Sequence, residues 1–125
     1  MIEAISVRVK YDTKDEDGET RRERNERFGT DSPPLVLPPV GAYLWEIYFE
    51  ISSRVQRVRD GICIPISPTE FAAWVSLSQR IVYPNEYDIL CGMDDAFVEA
   101  TNVELAEYRA REQQKREDEQ SKKVR

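Results

Sequence analysis

The sequence contains no histidine, and this absence excludes several kinds of chemistry at once. Histidine is the usual general base near neutral pH and a leading metal ligand. The serines therefore have no base with which to form a nucleophilic triad. The chain also has only five glycines, and none of them forms a phosphate-binding loop, so nucleotide chemistry is not indicated.

Cysteine is scarce as well, and no long apolar run is present. Cys63 and Cys91 lack the close spacing of zinc and redox motifs. Each lies among Ile or Leu residues, which predicts reduced thiols buried as small hydrophobic side chains, with a single disulfide as the alternative. No apolar run approaches the roughly 18 residues that a membrane-spanning helix needs, and the first residues do not resemble a secretory leader. The sequence predicts a cytosolic protein without a cofactor.

Charge is spread unevenly along the 125 residues. Counting Asp and Glu against Lys and Arg gives −2 for residues 1–32, −5 for 33–100 and +1 for 101–125. We predict a charged N-terminal arm over 1–32, a helical core domain over 33–100 and a charged C-terminal helix or tail over 101–125. The acidic middle segment repels phosphate backbones and the arms are not polybasic, so neither nucleic acid nor a membrane is an expected partner.

The N-terminal pattern favours a strand. Ile5, Val7, Val9 and Tyr11 alternate with polar residues, which predicts a short strand or, without a pairing partner, a disordered arm. The stretch TKDEDGETRRERNER that follows has no apolar residue and predicts a solvated linker, partly helical in its Arg-rich half.

Apolar residues from Ala42 onward recur at intervals of three and four, the spacing of an amphipathic helix. This pattern predicts a helix over 40–59 that is ended by Gly61. The preceding stretch DSPPLVLPPVG predicts an extended strap that covers the core through Leu35 and Leu37, with a polyproline recognition segment as the alternative.

Two further helices are predicted from their starts. Ser67 and Glu70 have the spacing of a capping box at the head of a helix over 68–79. Pro84 begins a third helix over 84–99, and Thr101 again has capping-box spacing, at the start of a charged C-terminal helix. The sequence leaves open whether that charged helix continues the third one. The predicted fold class is all-α, a compact three-helix core with this charged C-terminal helix.

The stretch LCGMDDAF holds the strongest candidate for chemistry, the neighbouring carboxylates Asp94 and Asp95. Neighbours on a helix point about 100° apart, so the two side chains diverge. A metal or acid pair needs partners three or four residues away, and no histidine or glycine-rich ligand loop accompanies this one. We therefore predict no catalytic and no metal site. The two carboxylates are expected on the solvated face of the third helix, or in contact with a partner.

The helices over 68–79 and 84–99 are joined by a short turn, which superficially resembles a helix-turn-helix. A recognition helix presents Arg, Lys, Asn or Gln to the bases and phosphates. The third predicted helix presents only acidic charges, so a DNA-binding regulator is the lesser alternative.

Aromatic residues are dense in the middle segment, and a core of roughly 65 residues has difficulty burying all of them. Exposed aromatic side chains are frequent hot spots of protein interfaces. We therefore predict protein–protein interaction, with self-association as one form of it. The predicted partner-binding residues are Tyr43, Trp45, Phe49, Trp74, Asp94 and Asp95.

Three stretches in order, LPPVGAYLWEIYFEIS, GICIPISPTEFAAWVSLS and YPNEYDILCGMDDAF, carry a resemblance. Their shared features are a Leu-Trp-Glu helix after a proline pair, a Gly-x-x-x-Pro-Ile-Ser approach to a Glu-containing helix, a Pro-x-Glu start and a closing Met-Asp-x-Ala-Phe. The combination resembles a group of small tailed-phage proteins that are encoded near the tail tube and tape-measure genes. Members are often labelled tail assembly chaperones or minor tail proteins. The resemblance covers about residues 37–97.

What this resemblance implies is an all-helical, non-enzymatic protein of the infected bacterial cytoplasm. Such chaperones bind the long tape-measure protein and deliver tail tube subunits, then leave before the virion is complete. The stretch ISVRVKY and the charged C-terminal tail are not part of the resemblance. A structural minor tail or tail-completion protein of the virion therefore stays as the alternative.

Overall fold

The computed structural model describes residues 1–123, apart from the side chain of Val40. This part of the chain is mostly helical, which confirms the predicted class in its broad form. The elements in chain order are α1 (Ile2–Tyr11), α2 (Arg21–Arg27), a 3-10 turn (Pro39–Gly41), α3 (Ala42–Ser52), β1 (Val58–Arg59), β2 (Ile62–Cys63), α4 (Pro68–Ser78) and α5 (Pro84–Lys123).

The N-terminal segment is helix α1, so the predicted strand or disordered arm is wrong. Ile5 is fully buried and Val9 is 8% exposed, one helical turn apart, whereas Val7 between them is only half-buried. The buried Ala4 extends the same face. The spacing of these apolar residues fits the period of a helix as well as that of a strand. The packing of α1 on α5 selects the helix, because tertiary contacts override the β preference of Ile and Val.

The core is formed chiefly by α1, α3 and α5, so the predicted three-helix core is not confirmed. Helix α4 and the segment before it add one buried apolar side chain each, Phe71 and Ile66. The buried apolar cluster comprises Ile5, Val9, Leu44, Ile47, Tyr48, Ile51, Ile66, Phe71, Leu90, Met93 and Ala96. Part of the segment predicted as a charged arm therefore belongs to the core.

A β-hairpin occupies the residues predicted as the end of the first helix. Helix α3 ends at Ser52, and β1 pairs antiparallel with β2 so that Val58 lies opposite Cys63. The connecting pair is Asp60 with φ 55° and Gly61 with φ 78°. Asp-Gly with two positive φ angles is the preferred two-residue hairpin turn. Gly61 is thus a turn residue and not the predicted helix stop.

The start of α4 agrees with its prediction. The Ser67 hydroxyl accepts a hydrogen bond from the Glu70 amide at 3.1 Å, and the Glu70 carboxylate accepts one from the Ser67 amide at 2.9 Å. This reciprocal pair is a capping box, and Pro68 occupies the first helical position. Gln79 in the left-handed region ends the helix.

Replacing Ser67 by Ala removes the acceptor of the Glu70 amide. The free energy of unfolding should fall by about 0.5–2 kcal/mol, the usual cost of losing an N-cap. Thermal denaturation monitored by circular dichroism measures it. Ser76→Ala, an exposed position inside the same helix, is the matched control and should not destabilise the protein. Equal loss in both variants would contradict the capping role.

Helix α5 runs unbroken from Pro84 to Lys123, which settles the continuity that the sequence left open. Its start is capped by Glu86, whose carboxylate accepts a hydrogen bond from the Tyr83 amide at 3.0 Å. Thr101 does not begin a new helix. At 1.5 Å per residue, the 40 residues of α5 extend about 60 Å. Among residues 1–123, every helix is too short or too polar to span a bilayer.

The proline-rich stretch before α3 contains neither helix nor strand over residues 31–38, and it does not cover the core in the predicted way. Leu35 is 38% exposed and Leu37 is half-buried, and neither belongs to the core cluster. Gly41 lies at the end of this stretch, and a Cβ there would be 2.8 Å from the Met1 sulfur. A side chain at this position would therefore have to displace the flexible side chain of Met1.

Candidate functional site

Asp94 is the most connected polar residue of the core. It is 3% exposed and accepts three hydrogen bonds on its carboxylate. The donors are the Tyr48 hydroxyl at 2.9 Å, the Arg57 Nη2 at 2.6 Å and the Ile66 amide at 2.9 Å. Since α3, the chain before β1 and the chain before α4 each supply one donor, this carboxylate fastens three separate segments to α5.

The prediction that Asp94 lies on a solvated face is wrong, and its contact with a partner stays a prediction. The expected divergence of the two neighbours is observed, because Asp95 is exposed while Asp94 points inward. The sequence places Asp94 in a helix but gives no sign of Arg57, which lies in a connection 37 residues upstream. Buried carboxylates persist only when paired and hydrogen-bonded, and Asp94 meets both conditions.

Arg57 is held in an unusual setting beside Asp94. Its side chain is 12% exposed, and its guanidinium carbon lies 4.8 Å from the centroid of the Phe97 ring. The Nε and Nη1 atoms of Arg57 are buried without a hydrogen-bond acceptor. Burial raises the pKa of the adjacent Cys63 thiol, and the positive charge of Arg57 acts in the opposite direction. Cys63 is thus buried as predicted, while Cys91 is half-buried, and both thiols are free.

Two further contacts attach the β-hairpin to α5. The Asn102 side chain accepts a hydrogen bond from the Cys63 amide at 2.8 Å and donates one to the Cys63 carbonyl at 3.3 Å. Arg109 donates to the Gly61 carbonyl at 2.6 Å. An asparagine inside a helix is the one sequence signal that could have indicated this role, because it favours helix ends unless it has an outside partner.

Tyr48 gives the cluster a pH dependence. Burial raises its pKa above the ordinary 10.0, and the Asp94 charge raises it further. The folded state therefore holds the phenolic proton where the unfolded chain releases it. The stabilisation is fully present below pH 10 and is lost as the pH rises above that value, at up to about 1.4 kcal/mol per pH unit.

Tyr48→Phe should remove that alkaline loss. At neutral pH the variant should be less stable by about 1–3 kcal/mol, because a buried carboxylate loses a donor. Between pH 9 and 11 its urea midpoint should fall less than that of the wild type. Tyr43→Phe, at a 46%-exposed position, is the matched control and should follow the wild type. Parallel slopes for Tyr48→Phe and the wild type would contradict the assignment.

The structure places the predicted aromatic partner-binding residues in different settings. Trp45 and Phe49 are both half-buried against the core, with ring centroids 4.9 Å apart. Tyr43 is exposed, and Trp74 is half-buried with the Arg80 guanidinium 5.9 Å from its ring. The structure brings Trp45 and Phe49 together, whereas Trp74 has Arg80, which follows α4, as its neighbour.

Exposed apolar residues that the sequence reasoning did not select follow Trp74. Leu77 is 86% exposed, Ile81 is 73% exposed and Tyr83 is 60% exposed. Leu77 lies three residues after Trp74, on the same side of α4. The sequence did contain a signal for this exposure. The apolar residues of α4 lie on more faces of the helix than one neighbouring element can cover, so some of them remain exposed.

Within residues 1–123, no three Cys, Asp or Glu side chains are grouped as metal ligands. Comparison with known proteins gives no assignment either, because no family model, no curated protein and no solved structure matches the chain. What the described site offers is a buried polar cluster around Asp94 and a series of exposed apolar side chains along α4 and the chain that follows it.

Proposed function

We propose that this chain is a non-enzymatic, phage tail assembly chaperone-like protein that binds the tape-measure protein, the tail tube protein or both in the cytoplasm of the infected host. One observation carries the proposal. The apolar side chains of Leu77, Ile81 and Tyr83 are exposed in the part of the chain that bears the resemblance. They lie within seven residues of one another along the chain, and clustered exposure of large apolar side chains is typical of interaction surfaces.

The attachment of α4 supports this role. Phe71 is the one buried side chain of α4, and its ring meets Tyr87 of α5 edge-on at 5.4 Å between centroids. The capping box fixes the first turn of α4, whereas the last turn exposes Leu77. A helix held at one end leaves its apolar side available to an amphipathic helix of a client, a common mode of recognition.

The test is co-expression with the tape-measure and tail tube proteins of the same phage, followed by affinity capture of this chain. We expect at least one of the two to be captured. The double variant Leu77→Ser, Ile81→Ser should reduce the captured amount at least roughly tenfold, since a hot-spot side chain contributes about 2 kcal/mol or more.

Phe28→Ser with Val36→Ser is the matched control, because these side chains are 72% and 68% exposed outside the resembling helices. This control should retain the client. Capture of neither protein by the wild type would overturn the proposed function. Equal capture by both double variants would refute the assigned surface.

The structural minor tail or tail-completion protein is favoured by one feature, the length of α5. A single helix of about 60 Å whose last part is rich in charged residues suits a component that reaches a neighbouring subunit. Mass spectrometry of purified particles separates the two functions, because a chaperone leaves the assembly and a structural subunit stays. No comparable observation favours a DNA-binding regulator, since α5 carries no Lys or Arg before Arg109.

A further inference from the structure

A second feature lies away from α4. A cavity of about 450 Å³ opens between α1, the end of α3 and α5. Its apolar surface is formed by Val9, Phe49 and Phe97, and the two phenyl rings meet edge-on with centroids 6.4 Å apart. The hydroxyl-bearing Ser52 and Ser53 line the same cavity. Apolar walls with a few polar groups are typical of sites for small ligands.

An arginine guanidinium lies over each phenyl ring of the cavity. Arg8 lies 5.3 Å from the centroid of Phe49, and Arg57 lies 4.8 Å from that of Phe97. Both arginines line the cavity, as does Lys14. The rings thus hold positive charge at the edge of an apolar space, where a charge is screened less than in open solvent.

The positive charges of the cavity are not balanced by acids. Asp12 is the one acidic residue among those that line it, and both of its carboxylate oxygens are bound by Arg22, at 2.8 and 3.1 Å. Within residues 1–123, neither Arg8 nor Lys14 forms an ion pair, and Arg8 donates only to the Asp12 carbonyl and the Thr13 hydroxyl. The cavity therefore has an excess of positive charge.

Arg57, which also lines the cavity, has hydrogen-bond donors without a partner. One of its nitrogens pairs with Asp94, while Nε and Nη1 are buried without an acceptor. A buried donor without a partner is costly in a folded protein, and native structures contain few of them. Asp94 balances the charge of Arg57, so this arginine adds unpaired donors to the site, and the excess charge comes from Arg8 and Lys14.

We propose that this cavity binds an apolar group that carries a carboxylate. The apolar group would lie against Phe49 and Phe97, and the carboxylate would be held by Arg8 and Lys14 at the rim. Arginine suits this task because its planar fork matches a carboxylate. The ligand is either a free arylalkanoic acid or the C-terminal residue of a polypeptide, since both present the same two groups.

The first experiment uses 3-phenylpropionate as the probe, titrated into the isotope-labelled full-length chain and followed by amide chemical shifts. Saturable shifts should be confined to residues around the cavity. 3-Phenylpropanol, which has the same apolar body without the charge, should bind at least roughly tenfold more weakly. Equal binding of acid and alcohol, shifts elsewhere, or no binding of the acid at millimolar concentration would overturn the proposal.

Charge variants localise the effect. Arg8→Gln with Lys14→Gln should weaken binding of 3-phenylpropionate roughly tenfold, because two cations of the site are removed. Lys10→Gln with Lys122→Gln removes the same charge outside the cavity lining and is the matched control. Equal affinities in the two double variants would refute the site, since net charge alone would then account for binding.

Peptides distinguish the two sources of the ligand. A short peptide that ends in Phe with a free carboxylate is compared with the same peptide as its C-terminal amide. Tighter binding of the free peptide than of 3-phenylpropionate assigns the site to a polypeptide terminus, whereas binding of the small acid alone assigns it to a metabolite-like ligand. Leu77 and Ile81 do not line this cavity. A negative result in the ligand titrations therefore leaves the proposed function untouched, and failure to capture a client leaves the ligand site untouched.

Discussion

Replacing Asp94 by Ala should lower the free energy of unfolding by about 3–5 kcal/mol. The variant leaves the Arg57 guanidinium, 12% exposed, without its carboxylate. It also leaves the buried Ile66 amide and the Tyr48 hydroxyl without their acceptor. Removing one partner of a buried pair costs more than the pair itself contributes, because an uncompensated charge remains. Urea denaturation gives the midpoint and the slope.

Asp95→Ala is the matched control, since it removes the same side chain one position further along the helix at an exposed site. Its stability should be nearly unchanged, as for most surface substitutions. The double variant Asp94→Leu, Arg57→Met should recover the part of the loss that is due to the unpaired Arg57, because apolar residues of similar volume can replace a buried ion pair. Similar midpoints for Asp94→Ala and Asp95→Ala would show that Asp94 is not the link between the three segments.

Ile5→Ala should lower the free energy of unfolding by about 2–5 kcal/mol, since it leaves a cavity in the core. Ile5 is fully buried in α1 where that helix packs on α5. The substitution favours helix by propensity, so the loss must come from packing and not from the backbone. Urea denaturation measures this loss when the dependence of the free energy of unfolding on urea concentration is the same in the variant and the wild type.

Ile2→Ala is the control for Ile5→Ala, because Ile2 belongs to the same helix and is 59% exposed. It should change stability little, and in the direction that helix propensity favours. Equal stability of Ile5→Ala and the wild type would mean that the N-terminal segment does not contribute to the core, as in the arm predicted from the sequence.

Local signals predicted local structure well. The capping box at Ser67 and Glu70 and the start of α5 at Pro84 both depend on contacts within four residues, and both agree with the structure. The hairpin turn at Asp60 and Gly61 was also a local signal. Gly61 was interpreted as a helix stop because glycine is frequent both at the end of a helix and in a two-residue hairpin turn.

Long-range contacts were beyond the sequence. Helix α1 was predicted as a strand because the spacing of Ile5 and Val9 fits both periods, and only α5 decides between them. Asp94 was predicted to face solvent or a partner because its hydrogen-bond donors Tyr48, Arg57 and Ile66 come from three places along the chain. A pattern read from one element cannot show a hydrogen bond whose donor lies in another.

The unbroken course of α5 determines how this protein can be joined to anything else. Residues that pack in the core, such as Met93, and the polar residues near Lys123 belong to one helix without a hinge. Hydrogen bonds between side chains one turn apart, such as Gln113 with Glu117, support its last part. The chain therefore leaves the core in a fixed direction, and whatever is attached near residue 123 inherits an orientation set by the core, roughly 45 Å away.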